Sequence, residues 1–266
     1  MDLQLHGKRA LVTGGSKGIG KAVARCLAAE GCDVAIAART ESTLIDAARE
    51  LATETGQRVV PVVMDTGDDR SVADGVNAAR QALGGIDILV NSAAQPMGQS
   101  APPRLADITD ELFWGDVNVK VLGYLRTARE VAPAMKEAGW GRIVNISGLG
   151  ARTVGSAIGS ARNVAVAAAT KNLADELGPH GVNVTVVHPG LTRTEATPGV
   201  VAARAKAAGV SEDEVEARLA STNSIKKLVD ATEVADIVAF LCSPRAVAIN
   251  GDAIACGGGQ PGAIHY

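Results

Sequence analysis

The chain has 266 residues, a formal net charge of −3 and a sequence pI near 5.8. That balance argues against a nucleic-acid footprint. Hydrophobic residues make up 47% but Phe, Trp and Tyr only 2%, so a core must come from Val, Ile, Leu and Ala. Such a core suits parallel strands covered by Ala-rich helices. Cys26, Cys32, Cys242 and Cys256 show no C-x-x-C spacing, so no metal site and no disulfide framework is expected. No apolar run approaches the ~20 residues of a membrane span, and no signal peptide precedes the first strand candidate. A soluble cytoplasmic protein is expected, with a single domain over 1–266.

The first strand candidate, Arg9–Thr13, runs into Thr13-Gly14-Gly15-Ser16-Lys17-Gly18-Ile19-Gly20, and a helix candidate, Gly18–Glu30, follows. Strand, glycine-rich turn and helix together present free backbone N–H groups at a positive helix N-terminus, where a diphosphate can sit. The alternation then continues. Strand candidates are Asp33–Ala37, Val59–Val63, Ile86–Asn91, Arg142–Ser147, Val182–His188 and Ala253–Ala255. Helix candidates are Glu41–Thr55, Asp68–Leu83, Asp110–Ala138, Ser156–Leu177 and Ala231–Cys242. This is the pattern of an α/β protein with a doubly wound parallel sheet and helices on both faces. Leu191–Val229 breaks it, being polar, Ala-rich and rich in Thr, Glu and Lys. It reads as one or two short helices outside the sheet.

The second strand candidate ends in Ala37-Ala38-Arg39. A site for NAD would place a carboxylate there to bind the ribose 2′-hydroxyl. Arg39 and the loop residue Lys17 instead suit a 2′-phosphate, although both are also ordinary solvated cations. The spacing predicts NADP(H).

The G-x-x-x-G-x-G turn with Thr13 in front resembles the short-chain dehydrogenase/reductase family, and the match runs along nearly the whole chain. It implies a Rossmann-type sheet and a cofactor site containing Gly14, Ser16, Lys17, Gly18, Ile19, Gly20 and Arg39. Met64-Asp65-Thr66 resembles the family's adenine contact, giving Asp65 and Thr66. Asn91-Ser92-Ala93-Ala94 stands where the family reads Asn-Asn-Ala-Gly, giving Asn91 and Ala93. His188-Pro189-Gly190-Leu191-Thr192-Arg193-Thr194 resembles the Pro-Gly turn, giving Pro189, Gly190, Thr192 and Thr194. The resemblance also implies a lid over the substrate at 191–229. A homodimer or homotetramer built on Asp110–Ala138 and Ser156–Leu177 is implied as well.

The family's chemistry uses Ser, Tyr and a Lys four residues after the Tyr. Aligned through Gly141–Ser147 and Ala169-Thr170-Lys171, those positions hold Gly148, Gly159 and Asn163. Register is not the cause, because Tyr124 is followed four residues later by Ala128, Tyr266 ends the chain, and Y-x-x-x-K occurs nowhere. The resemblance implies that Asn118 bends its helix and supports a proton-relay water. It also leaves Asn163 able to bond a cofactor ribose. Ser147, one residue before the expected Ser, is the other catalytic candidate, with core hydrogen bonding as its alternative. Arg162 reads as an anchor for an anionic substrate or as a surface or interface residue. His188 could titrate near neutrality or pack behind the cofactor. Three functions follow: an NADP(H)-dependent oxidoreductase of small carbonyls or alcohols with an unusual proton route, an inactive NADP(H)-binding sensor or partner subunit, or a non-redox lyase or hydratase.

Overall fold

The computed structural model describes residues 1–95 and 102–261. Its strands are β1 (Arg9–Thr13), β2 (Asp33–Ala38), β3 (Val59–Val63), β4 (Ile88–Asn91), β5 (Gly141–Ile146), β6 (Val182–Pro189), β7 (Thr192–Arg193), β8 (Val229–Asp230) and β9 (Ala253–Cys256). Seven form one parallel sheet in the order β3-β2-β1-β4-β5-β6-β9, and β7 pairs separately with β8. The chain reverses direction across the sheet between β1 and β4. The C-terminal ends of those strands therefore flank a crevice, the usual ligand position in such sheets.

The strands are near-continuous aliphatic runs because helices cover both faces. On one side lie α1 (Gly18–Ala29), α2 (Glu41–Thr55) and a late helix, residues 231–242. They bury Leu27, Leu44 and Val234 against Ile36 and Val12. On the other lie α3 (Asp69–Leu83), a helix over 123–138, and one over 157–177. These bury Val76, Val131 and Leu177 against Leu89 and Val184. Each fully buried Val or Leu contributes about 1.5–3 kcal/mol.

The helix expected to run unbroken over Asp110–Ala138 is interrupted. It consists of α4 (Asp110–Val117), a π-helical turn (Asn118–Leu122) and α5 (Gly123–Ala138). The N–H of Gly123 donates to the Asn118 carbonyl. Side chains hold the widened turn open: Thr66 Oγ1 donates to the Val119 carbonyl (3.0 Å), and Arg126 donates to the Asn118 carbonyl (3.1 Å) and to Asn118 Oδ1 (2.8 Å). Such an extra residue in a helix is frequent at functional sites. Its effect here is to place Lys120 inside, with only 4% of its surface exposed.

Next comes α6 (Ala157–Leu177), capped by the Ser156 hydroxyl, which accepts from the Gly159 N–H at 3.1 Å. The region after β6 forms α7 (Thr197–Ala208) and α8 (Glu212–Ala220), as the sequence suggested, and α9 (Ala231–Cys242) follows. The β7–β8 pair within it, two residues per strand, is too short to show a period in the sequence. No described helix is long and apolar enough to cross a membrane.

Candidate functional site

The glycine turn does what its spacing requires. Gly14 has a φ of +67°, and a Cβ there would lie 2.9 Å from the Ala93 nitrogen. A Cβ on Gly20 would lie only 2.3 Å from the Gly14 carbonyl oxygen. Without side chains the loop folds tightly on itself and the first turn of α1 faces the crevice. Lys17 precedes α1 and makes no side-chain cap. The Gly18 N–H instead donates to Glu195 Oε1 at 2.8 Å. A carboxylate thus sits on the helix N-terminus, where the dipole and free N–H groups favour an anion. A groove of about 640 Å³ runs beside the loop, lined by Ser16, Lys17, Gly18, Arg193, Thr194 and Glu195 among others. Its lining includes neither Ser147 nor Asn163.

Thr13 ties this loop to β4, its Oγ1 accepting from the N–H groups of Ser92 (3.1 Å) and Ala93 (3.3 Å). Arg39 lies exposed just past β2. Neither Lys17 nor Arg39 has an ion-pair partner among the described residues, whereas neighbouring Lys21 and Arg25 pair with Glu50. Ile19 packs against the core from a half-buried position. Asp65 accepts from the Gly67 N–H at 2.9 Å, and Thr66 is turned inward to the π-helical turn. Asn91 is fully buried: its Nδ2 donates to Asn145 Oδ1 (2.9 Å) and its Oδ1 accepts from Thr127 (2.7 Å). Pro189 ends β6, and the Gly190 N–H donates to the Cys256 carbonyl at 3.2 Å. Thr192 Oγ1 donates to the Gly190 carbonyl, and the Thr194 N–H to Thr197 Oγ1. The turn after β6 is thereby fixed beside the glycine loop, with Thr194 facing Gly18.

The end of β5 is built differently. Ser147 Oγ donates to the Asn163 backbone carbonyl at 3.1 Å and is buried. Asn118 Nδ2 donates to the Gly67 carbonyl at 2.8 Å, so both ends of that amide are engaged in holding the π-helical turn. Arg162 is neither at the surface nor free: its Nη1 donates to both Asp116 carboxylate oxygens at 2.7 Å. The side chains of that pair are 5% and 11% exposed. His188 is buried and lies 3.4 Å from the Gly148 N–H through Nδ1. Burial first, and then the charges of Arg152 and Lys120, push its pKa down to about 4, so it is neutral at pH 7. Tyr124 donates its hydroxyl to the Ile146 carbonyl at 2.9 Å, and burial raises its pKa. Tyr266 lies outside the described residues.

Sequence reasoning passed over three members of the site: Lys120, Asp116 and Glu195. Lys120 Nζ donates to the Ser147 carbonyl (2.9 Å) and to Asn163 Oδ1 (3.3 Å). Burial, reinforced by Arg162 and opposed by Asp116, lowers its pKa to about 7. A signal was present, since Lys120 stands between Val119 and Val121 in an apolar stretch. Its i−4 neighbour Asp116, however, reads as half of a surface pair.

A glycine loop at the reversal point of a parallel sheet defines a dinucleotide-binding α/β protein of the doubly wound class. The comparisons narrow that class. The sequence profile of the family described as enoyl-(acyl carrier protein) reductase matches residues 14–260. Dehydrogenase/reductase SDR family member 4 of Rattus norvegicus is 32% identical over 260 residues, covering 97% of this chain and 88% of that protein. Among solved structures, L-sorbose reductase from Gluconobacter frateurii, complexed with NADPH and L-sorbose, is 30% identical. It superposes with a TM-score of 0.93 over 99% of this chain and 100% of that one. A variant actinorhodin polyketide ketoreductase with NADPH gives a TM-score of 0.87 at 33% identity, over 96% and 98% of the two chains. The chain belongs to the short-chain dehydrogenase/reductase family.

Proposed function

We propose that the protein is an NADP(H)-dependent oxidoreductase acting on a small carbonyl or alcohol, with Gly148, Gly159 and Asn163 standing where its relatives carry Ser, Tyr and Lys. The observation that carries this reading is the pair of cations Lys17 and Arg39, neither ion-paired among the described residues, beside a glycine cradle with Ala38 in place of a carboxylate. The Glu195 carboxylate on the Gly18 N–H supports the fit, because the helix end already accepts an anionic group. In this reading Gly14, Ser16, Gly18, Ile19 and Gly20 hold a diphosphate, and Lys17 and Arg39 a 2′-phosphate. Asp65, Thr66, Asn91 and Ala93 line the adenosine side. Pro189, Gly190, Thr192 and Thr194 line the nicotinamide side, and Asn163 faces the neighbouring ribose. When bound, the nicotinamide supplies hydride chemistry. The chain's own part is to orient the ligands and to polarise the reacting oxygen.

Segment 191–229 is the proposed cover over the substrate. A homodimer or homotetramer is proposed through the α4–α6 face, where Leu112, Trp114 and Val164 are each at least half exposed. A cytoplasmic location belongs to the same reading. Calorimetric titration with NADPH and NADH, followed by turnover on a panel of ketones and aldehydes, tests it. Equal affinity for the two nucleotides overturns the cofactor assignment.

A second reading, an NADP(H)-binding sensor or partner subunit without turnover, is favoured by one observation: the sequence has no Y-x-x-x-K. NADPH binding with no carbonyl reduction across the panel selects it.

A further inference from the structure

Two cationic side chains converge on one oxygen at the end of β5. Lys120 Nζ and Arg162 Nε approach Asn163 Oδ1 at 3.3 and 3.4 Å. With both donors on Oδ1, the amide has one orientation, and Nδ2 points away from them. It points toward two glycines: a Cβ built on Gly148 or on Gly150 would each lie 3.1 Å from Asn163 Nδ2. Asn163 as a residue is buried, and its Nδ2 donates to no protein acceptor among the described residues, keeping a small opening to solvent. The buried Ser147 hydroxyl is already spent on the Asn163 backbone. An N–H pair held in one orientation, free of protein acceptors and open to the crevice is available to a ligand atom.

We infer that Asn163 Nδ2 is the hydrogen-bond donor for the substrate's reacting oxygen, and that Lys120 is the positioning residue that fixes and polarises this amide. The inference rests on the oxidoreductase reading and names the chemistry of the same site. It also names a substrate class. The Arg162 charge is neutralised at 2.7 Å by Asp116, and Lys120 is partly neutral at pH 7 because burial lowers its pKa to about 7. The site offers directed N–H groups without a strong net positive charge, which suits a ketone or aldehyde carbonyl over a carboxylate. A donor preset toward the position where negative charge grows is the usual device for stabilising an alkoxide. The groups that face Lys120 are Asp116 from α4, Arg162 from α6 and His188 at the end of β6; Tyr124 from α5 lies beside Arg162, and Arg152 beside His188. Tyr124 keeps its proton, and His188 titrates near 4. Between pH 6 and 8 Lys120 is therefore the group whose charge changes.

The test uses NMR of the side-chain amide of 15N-labelled Asn163, assigned by its loss in Asn163→Ser. In the free protein the Asn163 NH2 signals are expected to move with a midpoint near pH 7. That movement should disappear in Lys120→Met. If Lys120→Met does not fold, Lys120→Arg keeps donors at that position but does not titrate near neutrality, and it should abolish the movement equally. Signals that stay fixed from pH 5.5 to 9 in the native protein overturn the coupling. With NADP+ bound, ethyl acetoacetate should shift the NH2 signals further, and at saturating NADP+ Asn163→Ser should weaken binding of the ketone about tenfold. If NADP+ alone moves the signals and the ketone adds nothing, Asn163 is a ribose contact only and the inference fails. Acetate displacing the signals more than the ketone overturns the substrate class. Failure to bind NADP+ removes the oxidoreductase reading, while the pH coupling in the free protein still decides the role of Lys120.

Discussion

The two ends of the central strands solve opposite problems. At the end of β1 the chain clears space: Gly14 and Gly20 remove Cβ atoms and let the loop fold tightly on itself. At the end of β5 it fills space with buried polar groups, among them Asp116, Lys120, Arg162, Asn163 and Ser147. The first end depends on absent atoms and tolerates little addition. The second depends on charges held in a poor solvent, so it costs stability and responds to pH. A site of the first kind binds a constant ligand by its backbone. One of the second kind can be retuned by moving a single cation, and here that cation enters from the π-helical turn instead of α6.

Lys120 gives the largest expected effect. Burial brings its folded pKa to about 7 from an ordinary value of 10.5. Between those pH values the unfolded chain holds one more proton than the folded one, so folding stability rises with pH across that window. Below pH 7 both states are protonated and the full penalty of the buried charge is present. Relative to Lys120→Met, which does not titrate, the native protein should gain about 4–5 kcal/mol from pH 7 to 10.5. The cysteines, whose pKa values burial raises, lower stability at high pH in both proteins and cancel in the difference. Urea denaturation of both proteins across that range measures it. Parallel stability curves would mean that Lys120 is solvated.

Next comes the ion pair that neutralises the site. Arg162→Ala leaves the Asp116 carboxylate buried without a partner, and the expected loss is about 3–5 kcal/mol. Replacing both residues with apolar ones of similar size should restore much of it, because the desolvation cost disappears with the charges. Denaturation midpoints decide this. A loss under 1 kcal/mol for Arg162→Ala would place the pair in contact with water.

The glycine end gives a smaller effect, read in binding. Arg39→Asp removes a charge-assisted contact to a 2′-phosphate and should weaken NADPH by about 1.5–3 kcal/mol, with NADH little changed. Titration calorimetry with both nucleotides checks it, and an equal loss for both would remove Arg39 from cofactor selection.

The difference between the two ends also explains what could be read from the sequence. Backbone devices announce themselves: glycine spacing, aliphatic strand runs and Ala-rich helices set out the seven-strand sheet and the tight glycine turn almost residue for residue. The end of β5 was marked in the sequence only by Gly148, Gly159 and Asn163, standing where the resemblance leads one to expect Ser, Tyr and Lys. What stands there instead was hidden. A π-helical turn shifts every later side chain around its helix, and regular 3.6-residue spacing therefore misplaces Lys120. Arg162 shows no acidic partner nearby in sequence, because Asp116 lies 46 residues away. Glu195 meets Gly18 across 177 residues, through a segment whose polar composition reads only as surface.

That Glu195 contact yields the smallest effect and the finest comparison of the two ends. Its carboxylate accepts from the Gly18 N–H at 2.8 Å, the N–H a diphosphate would use. An exposed carboxylate at a helix N-terminus contributes about 0.3–1 kcal/mol, so NADPH must displace a contact of that size and also meets a like charge. Glu195→Gln removes the charge and keeps the shape, and it should tighten NADPH binding about two- to fivefold at low salt. The gain should shrink at high ionic strength, because exposed charges are screened. Titration at low and high salt separates this from a change in packing, which salt would leave untouched. If Glu195→Gln binds NADPH more weakly, the carboxylate stays engaged with the loaded site and holds segment 191–229 against it. The glycine end would then also rely on a placed charge, and the contrast with the end of β5 would be one of degree.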